Sequence, residues 1–186
     1  MNWEKPEVRE HHLAIYKDLL ERYDVDGIDL EIRRGVPFFE KEDPDKVRHM
    51  NEFMKRLRQE ADRIGVQRNK HISIVIQCLW DRDSRTRHWM DKDPLKNGLD
   101  YVTWAREGYV DILIPTFLSY YNPVPGDVSR YRTMVKGTQC KIYAYVVPSG
   151  KERPEVDLPT LRKLAEKCDG LYIFNGDPNR IASLVK

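Results

Sequence analysis

Read along the chain, apolar positions recur with a helical period, break, and return as short near-continuous runs. Val8, His12, Tyr16, Leu19, Leu20 and Tyr23 recur at intervals of three and four, which predicts a helix from Pro6 to about Tyr23. The run GIDLEIR follows and alternates strictly, Ile28, Leu30 and Ile32 against Asp29, Glu31 and Arg33. Asp43-Pro44 reads as a cap with proline in the first turn, opening a second helix that ends at Gly65. Its apolar face is Val47, Met50, Phe53, Met54, Leu57, Ala61 and Ile64.

The remainder repeats this alternation. HISIVIQCLW is rich in β-branched residues and precedes a polar segment from Asp81 to Gly98. A short helix is expected over about Leu99–Glu107, closed by Gly108, and then a strand in YVDILIPTF. The loop LSYYNPVPGD leads to a helix around Val128–Lys136 and the strand KIYAYVV. PSGKERPEVD, a helix from about Leu158 to Cys168, the strand GLYIFN and a terminal helix from about Pro178 complete the chain.

Five strands separated by helices predict a parallel sheet with right-handed crossovers. The mostly apolar strands fit a sheet covered by helices. Two architectures meet that pattern: an open doubly wound sheet and part of a (β/α)8 TIM barrel. No strand-to-helix turn carries a Gly-rich phosphate loop, which argues against dinucleotide and P-loop folds. The loops after strands are long and carry Trp, Tyr, Asn and charged residues, as a barrel builds its site at the C-terminal face. A complete barrel takes about 250 residues, whereas this chain has 186 and opens on a helix. The expectation is therefore an α/β half-barrel of five β/α units, strands 4–8 of eight. Residues 1–186 then form a single incomplete domain without the N-terminal three strands, and its exposed edges favour self-association. A small open sheet is the alternative.

Composition narrows the function. The 186 residues are 40% hydrophobic and 33% charged, with net charge +2. Acids and bases are interspersed, so no patch suits nucleic acid. The richest run, KRLRQEADRIGVQRNK, reads as the solvated face of a helix. No stretch approaches the roughly 20 apolar residues of a membrane span, and MNWEKPEVREHH does not read as a signal peptide. Cys78, Cys140 and Cys168 are odd in number and widely spaced, which suits reduced thiols rather than a disulfide framework. His11 and His12 point apart on a helix, and His88 with Asp91 lacks further ligands, so neither metal nor other cofactor is expected.

The charged strand carries the candidate chemistry. If Ile28, Leu30 and Ile32 pack on helices, Asp29, Glu31 and Arg33 face the barrel interior. Unpaired carboxylates there cost several kcal/mol, so these charges either pair into an ordering cluster or face a ligand-binding mouth. The strand direction places Glu31 and Arg33 nearer the mouth and Asp29 deeper.

The text EKPEVREHHLAIYKDLLERYDVDGIDLEIRRGVPFF resembles the glycosyl hydrolase-like family 10 group of barrel proteins. That group has a strand of the form D-G-hydrophobic-acid-hydrophobic-acid followed by arginine. WAREGYVDILIPTFLSYY is similar to its sixth strand. The resemblance implies a glycosidase-like TIM barrel, a carbohydrate ligand, and relatives that are often exported. The strand is also similar to the family 18 chitinase signature D-G-x-D-x-D-x-E at Asp26, Gly27 and Asp29. The third acid is Glu31, and Arg33 stands where the catalytic glutamate would be. A guanidinium cannot protonate a leaving group at neutral pH, so the chitinase mechanism does not carry over.

Glycoside hydrolysis needs two carboxylates. Glu31 is the leading acid/base candidate, Asp29 its catalytic neighbour, with Asp81 or Glu152 as candidates for a second carboxylate beyond that strand. Arg33, Gln77, Trp80, Tyr120, Tyr121 and Asn175 fall at or past strand ends and suit sugar contacts, since sugars present apolar faces rimmed by hydroxyls. Trp89 is assigned to the long loop, Trp104 to packing, and Asp177 to capping the helix at Pro178. Two functions follow: a glycoside hydrolase, or a non-catalytic carbohydrate-binding or structural barrel.

Overall fold

A computed structural model describes residues 2–32, 38–39, 43–78, 93–116, 125–146 and 158–174. The strands are β1 (Gly27–Glu31), β2 (Ser73–Cys78), β3 (Ile112–Pro115), β4 (Lys141–Val146) and β5 (Gly170–Ile173). The helices are α1 (Pro6–Arg22), α2 (Lys46–Gln67), α3 (Tyr101–Arg106), α4 (Pro125–Met134) and α5 (Leu158–Ala165), with a 3-10 turn at Pro94–Asn97 before α3. The expected terminal helix from Pro178 lies outside the described residues. No helix among the described residues is long and apolar enough to cross a membrane.

All neighbouring strands pair in parallel, in the order β1-β2-β3-β4-β5. Strict sequential order decides between the two expected architectures. Right-handed crossovers that always step the same way put every helix on the same face. A doubly wound sheet reverses direction once and gains helices on both faces; this one does not. The five strands form a curled half-barrel with helices outside.

The two faces differ accordingly. Ile28, Leu30, Ile74, Ile76, Cys78, Leu113, Ile142, Ala144 and Val146 are buried in one continuous core with the inner faces of the helices. The opposite face holds a smaller cluster, Ile114 and Tyr145 with the partly buried Val75, Ile112, Tyr143, Tyr172 and Phe174.

Helix boundaries follow local chemistry. In α1, Pro6 opens the first turn, Glu7 sits near the N-terminal end and Arg22 near the C-terminal end, in keeping with the helix dipole. Leu13 and Leu20 are its buried residues, while Tyr23, expected on the inner stripe, lies past the last turn and is 61% exposed. α2 starts later than expected, because Asp43 Oδ1 accepts from the Asp45 amide (2.8 Å) and folds residues 43–45 into a turn. It also runs past Gly65, where a Cβ would stand 2.5 Å from the Lys70 carbonyl oxygen. Met50, Phe53, Met54, Leu57, Ala61 and Ile64 are buried as the periodicity predicts. α3 is capped by Asp100, which accepts from the Thr103 amide (3.0 Å), and ends at Gly108 in the left-handed region (φ +70).

Aspartates pin the N-terminal ends of the strands. Asp111, just before β3, accepts from the Ile74 amide of β2 (2.7 Å) and from Arg58 Nη1 of α2 (3.1 Å). Asp169, just before β5, accepts from the Ile142 amide of β4 (2.8 Å). Each closes a backbone donor that no strand pairing reaches, and each sets register. The Arg58 side chain is only 8% exposed and also pairs with Asp62 at 2.7 Å, so removing Asp111 takes one of two carboxylates from a buried cation. Asp111→Ala is expected to cost about 2–4 kcal/mol, and Asp169→Ala about 1–2 kcal/mol. Urea denaturation measures both; equal losses would contradict the role given to Arg58.

Candidate functional site

The alternation of β1 places its two acids as expected. Ile28 and Leu30 are buried under the helices, and Asp29 and Glu31 project from the other face, both exposed. The parallel register sets Glu31 opposite Gln77 of β2, and Gln77 opposite Ile114 of β3. Asp29 therefore lies one layer deeper than Glu31, with Gln77 beside both.

A hydrogen-bonded cluster is built on that layer. Gln77 Nε2 donates to Asp29 Oδ2 at 2.7 Å and to the Tyr172 hydroxyl oxygen at 3.0 Å. The Tyr172 hydroxyl donates to the same Asp29 Oδ2 at 3.3 Å. Laid flat, β1 and β5 would stand four spacings apart, roughly 19 Å, too far for aspartate and tyrosine side chains to meet. The Asp29–Tyr172 contact thus records the curl of the sheet. Two donors converging on one carboxylate oxygen suit its ionised form.

An aromatic wall stands beside the cluster. Tyr145 of β4 stacks on Tyr172 (centroids 5.8 Å apart) and on Phe174 (5.5 Å). Gly170 makes room for the Tyr143 ring on the same face: a Cβ there would strike it at 2.8 Å. Tyr16 of α1 senses the same site. Burial, and secondarily the Asp29 charge, raise its phenol above the ordinary tyrosine value.

Of the expected site residues, the structure thus brings Asp29 and Gln77 together and sets Glu31 alongside. Arg33, Trp80, Tyr120, Tyr121 and Asn175 lie outside the described residues, as do Asp81 and Glu152. Tyr172 was not among the expected residues. A signal was present in GLYIFN, where Tyr172 shares its strand parity with Gly170 and Phe174, but its partner is 143 positions away.

Other chemistry in the described residues is limited. Burial pushes the Cys78 thiol well above its ordinary value, and that of Cys140 up to about 12, so both stay protonated and weakly nucleophilic at neutral pH. Asp43, Asp45 and His49 offer ligand atoms within 4.8 Å of one another. They stand at the start of α2, where the helix dipole opposes a cation, and Asp45 is already paired with Arg48 at 3.0 Å. His88 and Asp91 lie outside the described residues.

No protein-family model matches the chain, and no curated protein does. Among solved structures, N-acetylneuraminate lyase from Fusobacterium nucleatum is similar, with a TM-score of 0.52 at 14% identity. The match covers 92% of this chain and 50% of that one, so the chain spans about half the length of the structure it matches. At that identity the likeness shows the fold alone: a TIM barrel, here in part. It does not reach the glycosyl hydrolase-like family that the strand motif resembles, since the matching protein is a lyase.

Replacing Asp29 by Asn removes a negative charge beside Tyr16. Tyr16 ionisation should then move down toward the ordinary tyrosine value, as followed by NMR of its ring carbons. The folded-state value lies above the unfolded one, so this phenol holds its full stabilising contribution below about pH 10 and loses it as pH rises further. The variant should lose less stability than the wild type as pH is raised above about 10. An unmoved Tyr16 titration would place the Asp29 charge elsewhere.

Proposed function

We propose that the helix-free face at the C-terminal end of β1 is a carbohydrate site, and that Glu31 and Asp29 act there as the acid pair of a glycoside hydrolase-like protein. The observation that carries this reading is the placement of two carboxylates, two residues apart, on the inner face of a curled parallel sheet. Asp29 is held by Gln77 and Tyr172 while Glu31 projects toward the mouth. The strand motif's resemblance to hydrolase-like barrels supports the same reading. So does the name of the matching lyase, whose substrate is a sugar.

Strand geometry favours one stereochemical course. Positions two apart on one face are separated by about 6.6 Å. If the two carboxyl groups keep that backbone spacing, they fall in the range of about 6.5–9.5 Å used by inverting enzymes, which leave room for water, rather than the ~5–5.5 Å of retaining ones. In this mechanism Glu31 protonates the leaving oxygen, and Asp29, held ionised by its two donors, activates the water.

A second reading is a barrel that binds sugar without turnover. It is favoured by the saturation of Asp29 Oδ2 by the protein's own donors, and by Arg33 at the position of the chitinase glutamate.

A panel of chromogenic glycosides and polysaccharides separates the two. Glu31→Gln and Asp29→Asn should each lower kcat by about 10²–10⁴-fold, and NMR of the first-formed anomer should show inversion. Full activity in Glu31→Gln would remove it from the mechanism. Sugar binding without product in the wild type would select the second reading.

A further inference from the structure

We infer that Gln77 sets the specificity of this site, and that the ligand it selects places an uncharged donor, a hydroxyl or an amide N–H, on Gln77 Oε1. The inference rests on the carbohydrate reading above and names what that carbohydrate must present.

The orientation of the amide is fixed by its neighbours. Nε2 lies 2.7 Å from Asp29 Oδ2 and 3.0 Å from the Tyr172 hydroxyl, so its two hydrogens face two acceptors. Turning the amide over would press a carbonyl oxygen against a carboxylate oxygen. Oε1 must therefore point away from Asp29.

That oxygen is shielded from solvent and has no hydrogen-bond partner among the described residues. Gln77 as a whole is only 4% exposed. Buried polar atoms are almost always satisfied, and an orphaned acceptor costs free energy that an isosteric methionine would not. On the far side β3 offers Ile114, an apolar neighbour that cannot donate. A ligand donor recovers the missing bond, and an analogue lacking the donor leaves it orphaned. Sites built on this asymmetry reject such analogues more strongly than apolar pockets reject a missing methylene. A carbohydrate supplies that donor as a hydroxyl or an amide N–H, the uncharged donors such a ligand carries.

The test uses the 186-residue chain and calorimetric binding of glucose, galactose, mannose and N-acetylglucosamine, each with its single-deoxy analogues. For a sugar that binds, one deoxy analogue should bind roughly 5- to 150-fold more weakly, the equivalent of about 1–3 kcal/mol. In Gln77→Met the parent sugar should fall to the level of that analogue, with the fold intact by circular dichroism. Analogues all binding within twofold of their parents would overturn the inference, as would discrimination that survives in Gln77→Met. If no sugar binds the wild type, the carbohydrate reading fails, and the donor inference is then read separately from the Gln77 side-chain amide resonance on adding acetamide or glycerol. A displaced resonance upholds it, and an unmoved one overturns it.

Discussion

A parallel sheet whose strands follow one another without reversal can be covered by helices on one face only. That constraint organises this molecule. Crossover handedness sends α2, α3, α4 and α5 to the same side, and the apolar residues of β1–β4 are buried there. Among the described residues, the other face is finished by side chains. It curls until Asp29 of β1 meets Tyr172 of β5, across a distance that a flat sheet would not allow. The polar cluster and the aromatic wall both depend on that curl.

The two ends of the sheet use polar groups for different purposes. At the N-terminal ends, Asp111 and Asp169 are spent on backbone amides and, for Asp111, on a buried arginine. Every partner there belongs to the protein, so these carboxylates order the fold. Toward the C-terminal ends, Gln77 is held by two partners through its nitrogen and, among the described residues, left unmatched at its oxygen. Carboxylates spent on backbone amides at one end and a polar side chain facing the mouth at the other is the division of labour that barrels follow.

How much of this was legible follows from the range of the interactions. The faces of β1 could be read directly, because a period of two is local. The inner face of α2 was equally plain, since its helical period persists for five turns. Single-residue terms were harder to see. Tyr23 continued the stripe of α1 in sequence but fell outside the helix, and Leu13, which is buried, was not on the stripe read from spacing. The start of α2 moved because Asp43 bonds to a turn amide rather than a helical one. Strand parity could give the face of Tyr172 but not its role: that role exists only once the sheet has curled, and no local pattern encodes a meeting between residues 29 and 172.

The likeness to a sugar lyase at 14% identity extends this distinction between scaffold and site. A barrel fold is shared by many unrelated chemistries, so the common curl carries no statement about reaction type. What separates one barrel from another is which polar atoms are left without partners on the inner face. Here the sequence motif that in chitinases would end in a glutamate has Arg33 at that position. The described acids are Asp29, clasped by neutral donors, and Glu31, set beside an amide with an idle oxygen. The donors that hold the deeper acid, Gln77 and Tyr172, are both neutral, and the amide oxygen of Gln77 is an uncharged acceptor next to it. On the proposed carbohydrate reading, a ligand rich in hydroxyls or amide N–H groups can satisfy Oε1 and offer further donors to the exposed carboxylates of Asp29 and Glu31.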